Sequence, residues 1–120
     1  MEIKKVHKDV RGEMWQILNK GKEFILFDIK AGMARGGDYH TTNQYDLVMD
    51  GEVEYRRTLP NGEEIINILR KTDYIMSPKN EPHIFIALED SLVLEWTELG
   101  KFQKELYAPY RKIIDERMKK

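Results

Sequence analysis

Two of the three histidines of this chain stand with an acid and an amide at spacings that let four polar side chains share one pocket. Gly32 is followed after five residues by Asp38-Tyr39-His40, after three more by Gln44, and after six more by Gly51. A second segment, Pro78-Lys79-Asn80-Glu81-Pro82-His83, carries the other histidine. Residues two apart in a strand project from one face, so Asp38 and His40 can converge, with Gln44 entering slightly farther along and His83 from a facing strand. Imidazole, carboxylate and amide oxygen all ligate first-row divalent ions, and two histidines with one carboxylate make up many open iron, manganese and zinc sites. Asp38, His40, Gln44 and His83 are therefore the candidate ligands for Zn, Mn, Fe or Ni. With Asp38 as the sole anionic donor, a bound divalent ion stays net positive, which favours an anionic substrate or hydroxide in the open position.

The same residues can also act without a metal. A histidine titrates near neutrality and a neighbouring carboxylate raises its basicity, so Asp38 with His40 or His83 forms a candidate general-base pair. Tyr39, Tyr45, Tyr55 and Tyr74 are candidates for the matching acid, and Tyr45 is the one placed with the catalytic set. Arg35 and Arg11 carry planar guanidinium forks suited to a phosphate or carboxylate. Arg35, beside the motif strand, is assigned with Tyr39 and Tyr55 to the ligand, and Arg11 to the solvated surface. Each residue also has an ordinary structural role open to it: His40 bonded to Asp38, Gln44 capping a backbone group, Tyr55 filling core. Joint spacing is what lifts the set above those roles.

Short strands between turn residues must position these groups. Glu13 to Leu18 and Glu23 to Ile29 are apolar-rich runs split by Asn19-Lys20-Gly21-Lys22, and read as a hairpin or two successive strands. Asp50-Gly51 reads as a tight hairpin turn between Tyr45–Met49 and Glu52–Leu59, with Val53, Tyr55, Arg57 and Leu59 on one face. Pro60-Asn61-Gly62 makes the next turn. The runs from His83 and from Leu92 read as a further hairpin. Both faces of the His83 run are mostly apolar, which calls for a cover on its outer side: another sheet, the terminal helix, or a second subunit, so a homodimer is expected. From Lys101 the apolar spacing turns helical, with Pro109 breaking it near Ala108 and a second helix from about Tyr110 to Lys119. That segment reads as a packing or dimer-clasping appendage.

Composition narrows the classes. At 120 residues the chain fits one domain with a real core and no separate cofactor module. Its net charge of −1, with scattered Lys and Arg, gives no reason to expect nucleic acid or a membrane as partner; a small molecule is the expected one. Absence of cysteine excludes disulfides, thiolate metal sites and a cysteine nucleophile. No apolar run is long enough for a signal-peptide core or a bilayer span, so a cytoplasmic protein is the expectation.

The spacing resembles the two motifs of the cupin superfamily. In the first of these a glycine is followed by a His-x-His pair, a glutamate and a second glycine; Gly32, His40 and Gly51 match in frame, while Asp38 stands for the first histidine and Gln44 for the glutamate. In the second, Pro78 and His83 match, but Thr72, Asn80 and Ala87 replace a glycine, a glycine and an asparagine. The resemblance implies an all-β fold, a jelly-roll type double-stranded β-helix barrel over about 10–98, with C-terminal helices over about 101–119, all within a single domain 1–120. Metal-free cupins that epimerise or isomerise keto-sugars on nucleotide carriers use a His/Asp base and a Tyr acid. Ala34-Arg35-Gly36-Gly37-Asp38-Tyr39-His40 and Asp9-Val10-Arg11-Gly12-Glu13 are similar to strings in cupins of capsular-polysaccharide and nucleotide-sugar pathways. The resemblance thus implies a pocket that binds, isomerises or epimerises a carbohydrate or nucleotide-sugar. The alternatives are a divalent-metal-dependent oxygenase or isomerase, and a sugar-binding cupin without turnover.

Overall fold

The computed structural model describes residues 1–98 and 103–119. Among them run β1 (Glu2–Asp9), β2 (Gly12–Asn19), β3 (Lys22–Ile29), β4 (Ala34–His40), β5 (Gln44–Asp50), β6 (Glu52–Thr58), β7 (Glu64–Arg70), β8 (Tyr74–Ser77), β9 (His83–Ala87), β10 (Ser91–Thr97), β11 (Lys104–Leu106) and α1 (Ala108–Met118). All the strand pairings are antiparallel. One sheet has the order β1-β2-β3-β10-β5-β8 and the other β11-β4-β9-β6-β7.

Alternation along each strand sends one set of side chains between the sheets. There Phe27, Ile29, Val48, Val53, Tyr55, Phe85 and Val93 form the main core. At the outer face of the second sheet, Ala34, Ile84 and Ile86 meet Tyr110 and Ile114 of α1. The cover that the doubly apolar β9 requires is therefore the C-terminal helix. Tyr110 pins the helix by its hydroxyl, 2.7 Å from Thr58 Oγ1 and donating to Glu64 at 3.0 Å.

Three expectations need correction. β5 and β6 lie in different sheets, so Asp50-Gly51 is a corner between sheets instead of a hairpin. Gly51, at φ +90°, passes so close to Asp90 and Ser91 that a Cβ would collide with Ser91 Oγ. Likewise β9 and β10 part into opposite sheets, whereas β2–β3 and β6–β7 are true hairpins. Turn residues announce a reversal but not the partner strand, which is chosen by long-range burial. The third correction is at the ends. β1 begins before the expected barrel limit. At the other end, 104–106 is a strand paired with β4 where a helix was expected, and 99–102 lie outside the described residues. A single helix then spans Ala108–Met118, and Pro109 sits in its first turn, where a missing N–H costs nothing.

Candidate metal centre and ligand pocket

The local chemistry of β4 builds the site. Arg35 pairs with Phe85 and Gly36 with Ile84, but the next partner of His83 is Asp38, so Gly37 is an extra residue. Without that bulge Arg35 and Asp38, three apart, would face opposite sides of the sheet. With it, both face the interior. Gly36 and Gly37 take φ +98° and +70°, conformations that L side chains rarely adopt. A Cβ on Gly37 would also press on Arg111 Cδ at 2.9 Å and Ile114 Cδ1 at 3.0 Å, so the bulge doubles as the seat of α1.

Asp38, His40 and His83 are all buried, and one ligand atom from each lies within 4.8 Å of the other two. Asp38 Oδ1 is 3.4 Å from His40 Nε2 and 3.5 Å from His83 Nε2. The far side of each ring explains this orientation. His40 Nδ1 donates to the Gln103 carbonyl at 2.7 Å, and His83 Nδ1 to the Glu81 carbonyl at 3.1 Å. A carbonyl can only accept, so both Nδ1 atoms carry hydrogen, and in the neutral rings both Nε2 lone pairs face Asp38. Two lone pairs turned toward a carboxylate repel it unless a cation lies between them. A proton is one such cation. Burial pulls the His40 pKa down, but the Asp38 hydrogen bond and charge outweigh it and leave the ring raised above its ordinary value. Burial would raise Asp38, yet the two histidines hold it below the usual carboxylate value. His83 is lowered, chiefly by burial, and stays neutral. The other such cation is a divalent metal. Donors about 2.1 Å from an ion stand roughly 3.0 to 3.4 Å apart, close to the 3.4 and 3.5 Å of the Asp38–histidine pairs.

Gln44 lies beside the triad with its Nε2 3.2 Å from His83 Nε2. That amide nitrogen also donates to Asp46 Oδ2 and Glu95 Oε1, each at 2.8 Å, leaving Oε1 buried without a hydrogen-bond partner. Asp46 and Glu95, cross-strand neighbours on β5 and β10, escaped the sequence reading. Burial pushes Asp46 up to about 6 and Glu95 well above its ordinary value, so the two acids share protons near neutrality. The signal for Asp46 was present, since it has the same strand parity as Gln44 and Val48.

A cavity of about 420 Å³ opens from Asp38 and His40 past Phe27, Phe85 and Glu95 to Arg35 and Arg11. Arg35 lines it, and so does Arg11, which the sequence reading assigns to the surface. Tyr55 is interior, its hydroxyl 2.6 Å from Ser77 Oγ and its ring stacked near His83 at 6.2 Å. Burial pushes its pKa well above the ordinary tyrosine value, too high for a proton relay near neutrality. Tyr45 does not join the site. It alternates with Gln44 and so faces outward, hydrogen-bonded to Glu98 at 2.5 Å and stacked on Tyr74 and Trp96. Tyr39, between Asp38 and His40, projects from the opposite face of β4 from theirs. The C-terminal stretch proves more than an appendage: Gln103 orients His40, and Lys104 and Arg111 line the cavity.

Two antiparallel sheets facing each other in a barrel of this topology are the cupin fold. Solved structures bear this out. The chain superposes on the capsular polysaccharide assembling protein CapF from Staphylococcus aureus with a TM-score of 0.75 at 18% identity, covering 89% of this chain and 32% of that one. It superposes on oxalate decarboxylase of Lactobacillus farciminis, solved as a formate complex, with a TM-score of 0.76 at 16% identity, covering 90% and 34%. For the Bacillus subtilis oxalate decarboxylase studied for its Mn(II) centres the values are 0.72, 16%, 85% and 29%. The chain thus spans about a third of the length of these proteins. No protein-family model matches the sequence, and no curated protein does. Among the described residues no helix is long and apolar enough to cross a membrane.

Proposed function

We propose that the protein is a small-molecule cupin whose pocket is organised by one divalent ion, held by Asp38, His40 and His83 with Gln44 Oε1 as a fourth donor. The observation that carries this reading is the tautomer lock: two backbone carbonyls fix both rings so that both Nε2 atoms meet one carboxylate. The unpartnered Gln44 Oε1 supports it, because a buried carbonyl oxygen without a donor is otherwise unfavourable. A bound ion would act as a Lewis acid on an oxygen of the ligand. Phe27 and Phe85 restrict water, Arg35 orients the ligand, and Glu95, in the wall, is the candidate acid in place of Tyr45. The likeness to CapF, a capsular polysaccharide assembling protein, supports a carbohydrate-type ligand; isomerisation or epimerisation of a nucleotide-sugar is the reaction that the resemblance of the motifs implies.

Protein purified without a nickel column and assayed by elemental analysis and calorimetry with Zn and Mn tests the first part. One bound ion per chain, lost in His40→Ala and His83→Ala, is expected; no binding of either ion would overturn it. Exchange of solvent deuterium into a 4-keto sugar nucleotide tests turnover, and saturable binding without exchange would mark a binding module.

Assembly as a homodimer belongs to the same reading, though on a different face from the one the sequence suggested. The outer side of the six-stranded sheet carries Trp15, Phe24, Leu26, Leu47, Leu94 and Trp96, all partly buried, beside the exposed Met49, Tyr74 and Met76. Six strands about seven residues deep make a face of roughly 24 by 24 Å, near 600 Å² before side-chain relief, against roughly 800 Å² per partner in a standard interface. A second copy of the same sheet matches it in size and apolar character.

A further inference from the structure

We infer that the cavity takes a ligand through an oxyanion, a carboxylate or phosphate group, held between the guanidinium groups of Arg35 and Arg11. This rests on the small-molecule pocket reading and names the group that such a ligand must carry.

Arg35 is only 2% exposed, yet Nη1 and Nη2 are buried without any hydrogen-bond partner. Its Nε donates to the Asp28 carbonyl at 2.9 Å, and its guanidinium carbon lies 5.8 Å from the Phe27 ring centroid. Those two contacts set the plane of the fork within the wall of the cavity, which Arg35 lines. An unpaired buried cation is strongly unfavourable, so native proteins keep one where something binds it. The acids whose charge reaches Arg35 are committed elsewhere. Asp9 is held by Arg11 at 2.7 and 3.0 Å, Asp28 Oδ1 accepts from the Glu13 N–H, and Glu95 accepts from Gln44. No described carboxylate forms an ion pair with Arg35.

The rest of the wall points the same way. Arg11, Lys104 and Arg111 line the same cavity as Arg35, opposed by Asp38 and by Glu95. Burial, then the neighbouring charge of Arg11, bring Arg35 down to about 10 against the opposing pull of Asp9, Asp28 and Glu95, so it stays cationic at neutral pH. An anion beside Arg35 would meet its unmet hydrogen bonds, with Arg11, already paired to Asp9, adding charge from the same wall. A guanidinium fork matches carboxylate and phosphate oxygens in bidentate geometry, whereas a neutral hydroxyl supplies no charge to answer it. A metal at Asp38, His40 and His83 would leave the chamber more positive still. The ligand is therefore a small molecule with an acidic group at one end and an oxygen for the ion at the other.

Calorimetric titration of the full chain with malonate, with inorganic phosphate and with glucose, in low-chloride buffer, tests this directly. Wild type, Arg35→Gln and Arg35→Lys are compared, each with EDTA and with added Zn. At least one of the two anions should bind the wild type under both conditions. Both variants should weaken it about tenfold or more, the lysine because it keeps charge but loses the fork. Preference for malonate or phosphate assigns the acid class, and glucose binding should be indifferent to residue 35. Arg35→Gln removes an unpaired cation, so it should melt no lower than wild type, which separates lost binding from lost folding. Equal anion affinity in wild type and Arg35→Gln, or no anion binding by the wild type, overturns the inference. Loss of Zn binding with the Arg35 effect retained would overturn only the metal reading.

Discussion

Replacing Gln44 by glutamate restores the residue type of the cupin first motif, yet in the metal-free protein it should weaken the fold. Gln44 Nε2 donates to Asp46 and Glu95 at 2.8 Å each. A carboxylate cannot donate, so both bonds disappear and a third acid enters a place where two already share protons. Each lost bond is worth about 1 to 1.5 kcal/mol net, and seating the added carboxyl raises the total to about 3 kcal/mol. An unfolding entropy of roughly 2.1 cal/mol/K per residue converts that, for a chain of this length, into a fall in Tm of about 12 °C. The loss should depend on pH. The introduced carboxyl would have a folded pKa above its unfolded one, so the penalty is least below the unfolded value and grows as pH rises toward the folded value. Circular dichroism melts in EDTA at pH 4 and pH 7 measure both effects. A Gln44→Glu protein that melts at or above wild type at pH 7 would refute the bridging role of this amide.

Divalent ion at a hundred times its Kd should stabilise the wild type by about 2.7 kcal/mol, a rise of roughly 11 °C that EDTA reverses; an unchanged melt under saturating Zn and Mn would tell against the centre. Asp46 is raised from 3.8 to about 6, so the folded state holds more protons in that window and this residue's share of stability falls as pH climbs through it. Asp46→Asn should flatten that decline in urea titrations across the same pH range, and an unaltered slope would contradict the assignment. Gly37→Ala should cost about 2 kcal/mol through its φ of +70° and its contacts with Arg111 and Ile114, with faster hydrogen exchange in α1; a neutral substitution would mean the bulge is not needed. Leu94→Glu should convert a dimer to a monomer in light scattering, whereas a wild-type monomer would leave the outer sheet face without a partner.

What could be read from residues alone followed short-range periodicity. Asp38 and His40 share parity, and His83 belongs to a run whose alternation turns Phe85 and Ala87 to the main core and Ile84 and Ile86 to the helix. The same alternation sets Tyr45 on the face opposite Gln44 and Asp46 on the same face, yet the sequence reading places Tyr45 with the catalytic set and passes over Asp46. Glu95 was less accessible, because its neighbours Leu94 and Trp96 make the strand apolar on its outer side as well. Strand pairing could not be read locally: Asp50-Gly51 has the composition of a hairpin turn, and only the contact with Asp90 and Ser91 turns it into a corner. The helical spacing from Phe102 to Leu106 gave no hint that 104–106 would complete a sheet edge, since a three-residue strand is set by its partner β4 more than by its own side chains.

The bulge at Gly37 links these levels. A regular β4 could present Arg35 to the chamber or Asp38 to it, but not both, because three residues span an odd number of alternations. One inserted residue reverses the parity between them, at the cost of two positive φ values that glycine alone tolerates easily. The same insertion leaves β4 without a side chain at Gly37, and there α1 seats Arg111 and Ile114, while Gly36 lies against the backbone of β9. The helix then brings Arg111 to the cavity, and the segment before it, ending in β11, brings Gln103 to His40. The acid, the unpaired guanidinium and the carbonyl that sets the His40 tautomer are thus all consequences of two adjacent glycines, which is why the Arg35-Gly36-Gly37-Asp38 string carries more of this site than any single ligand in it.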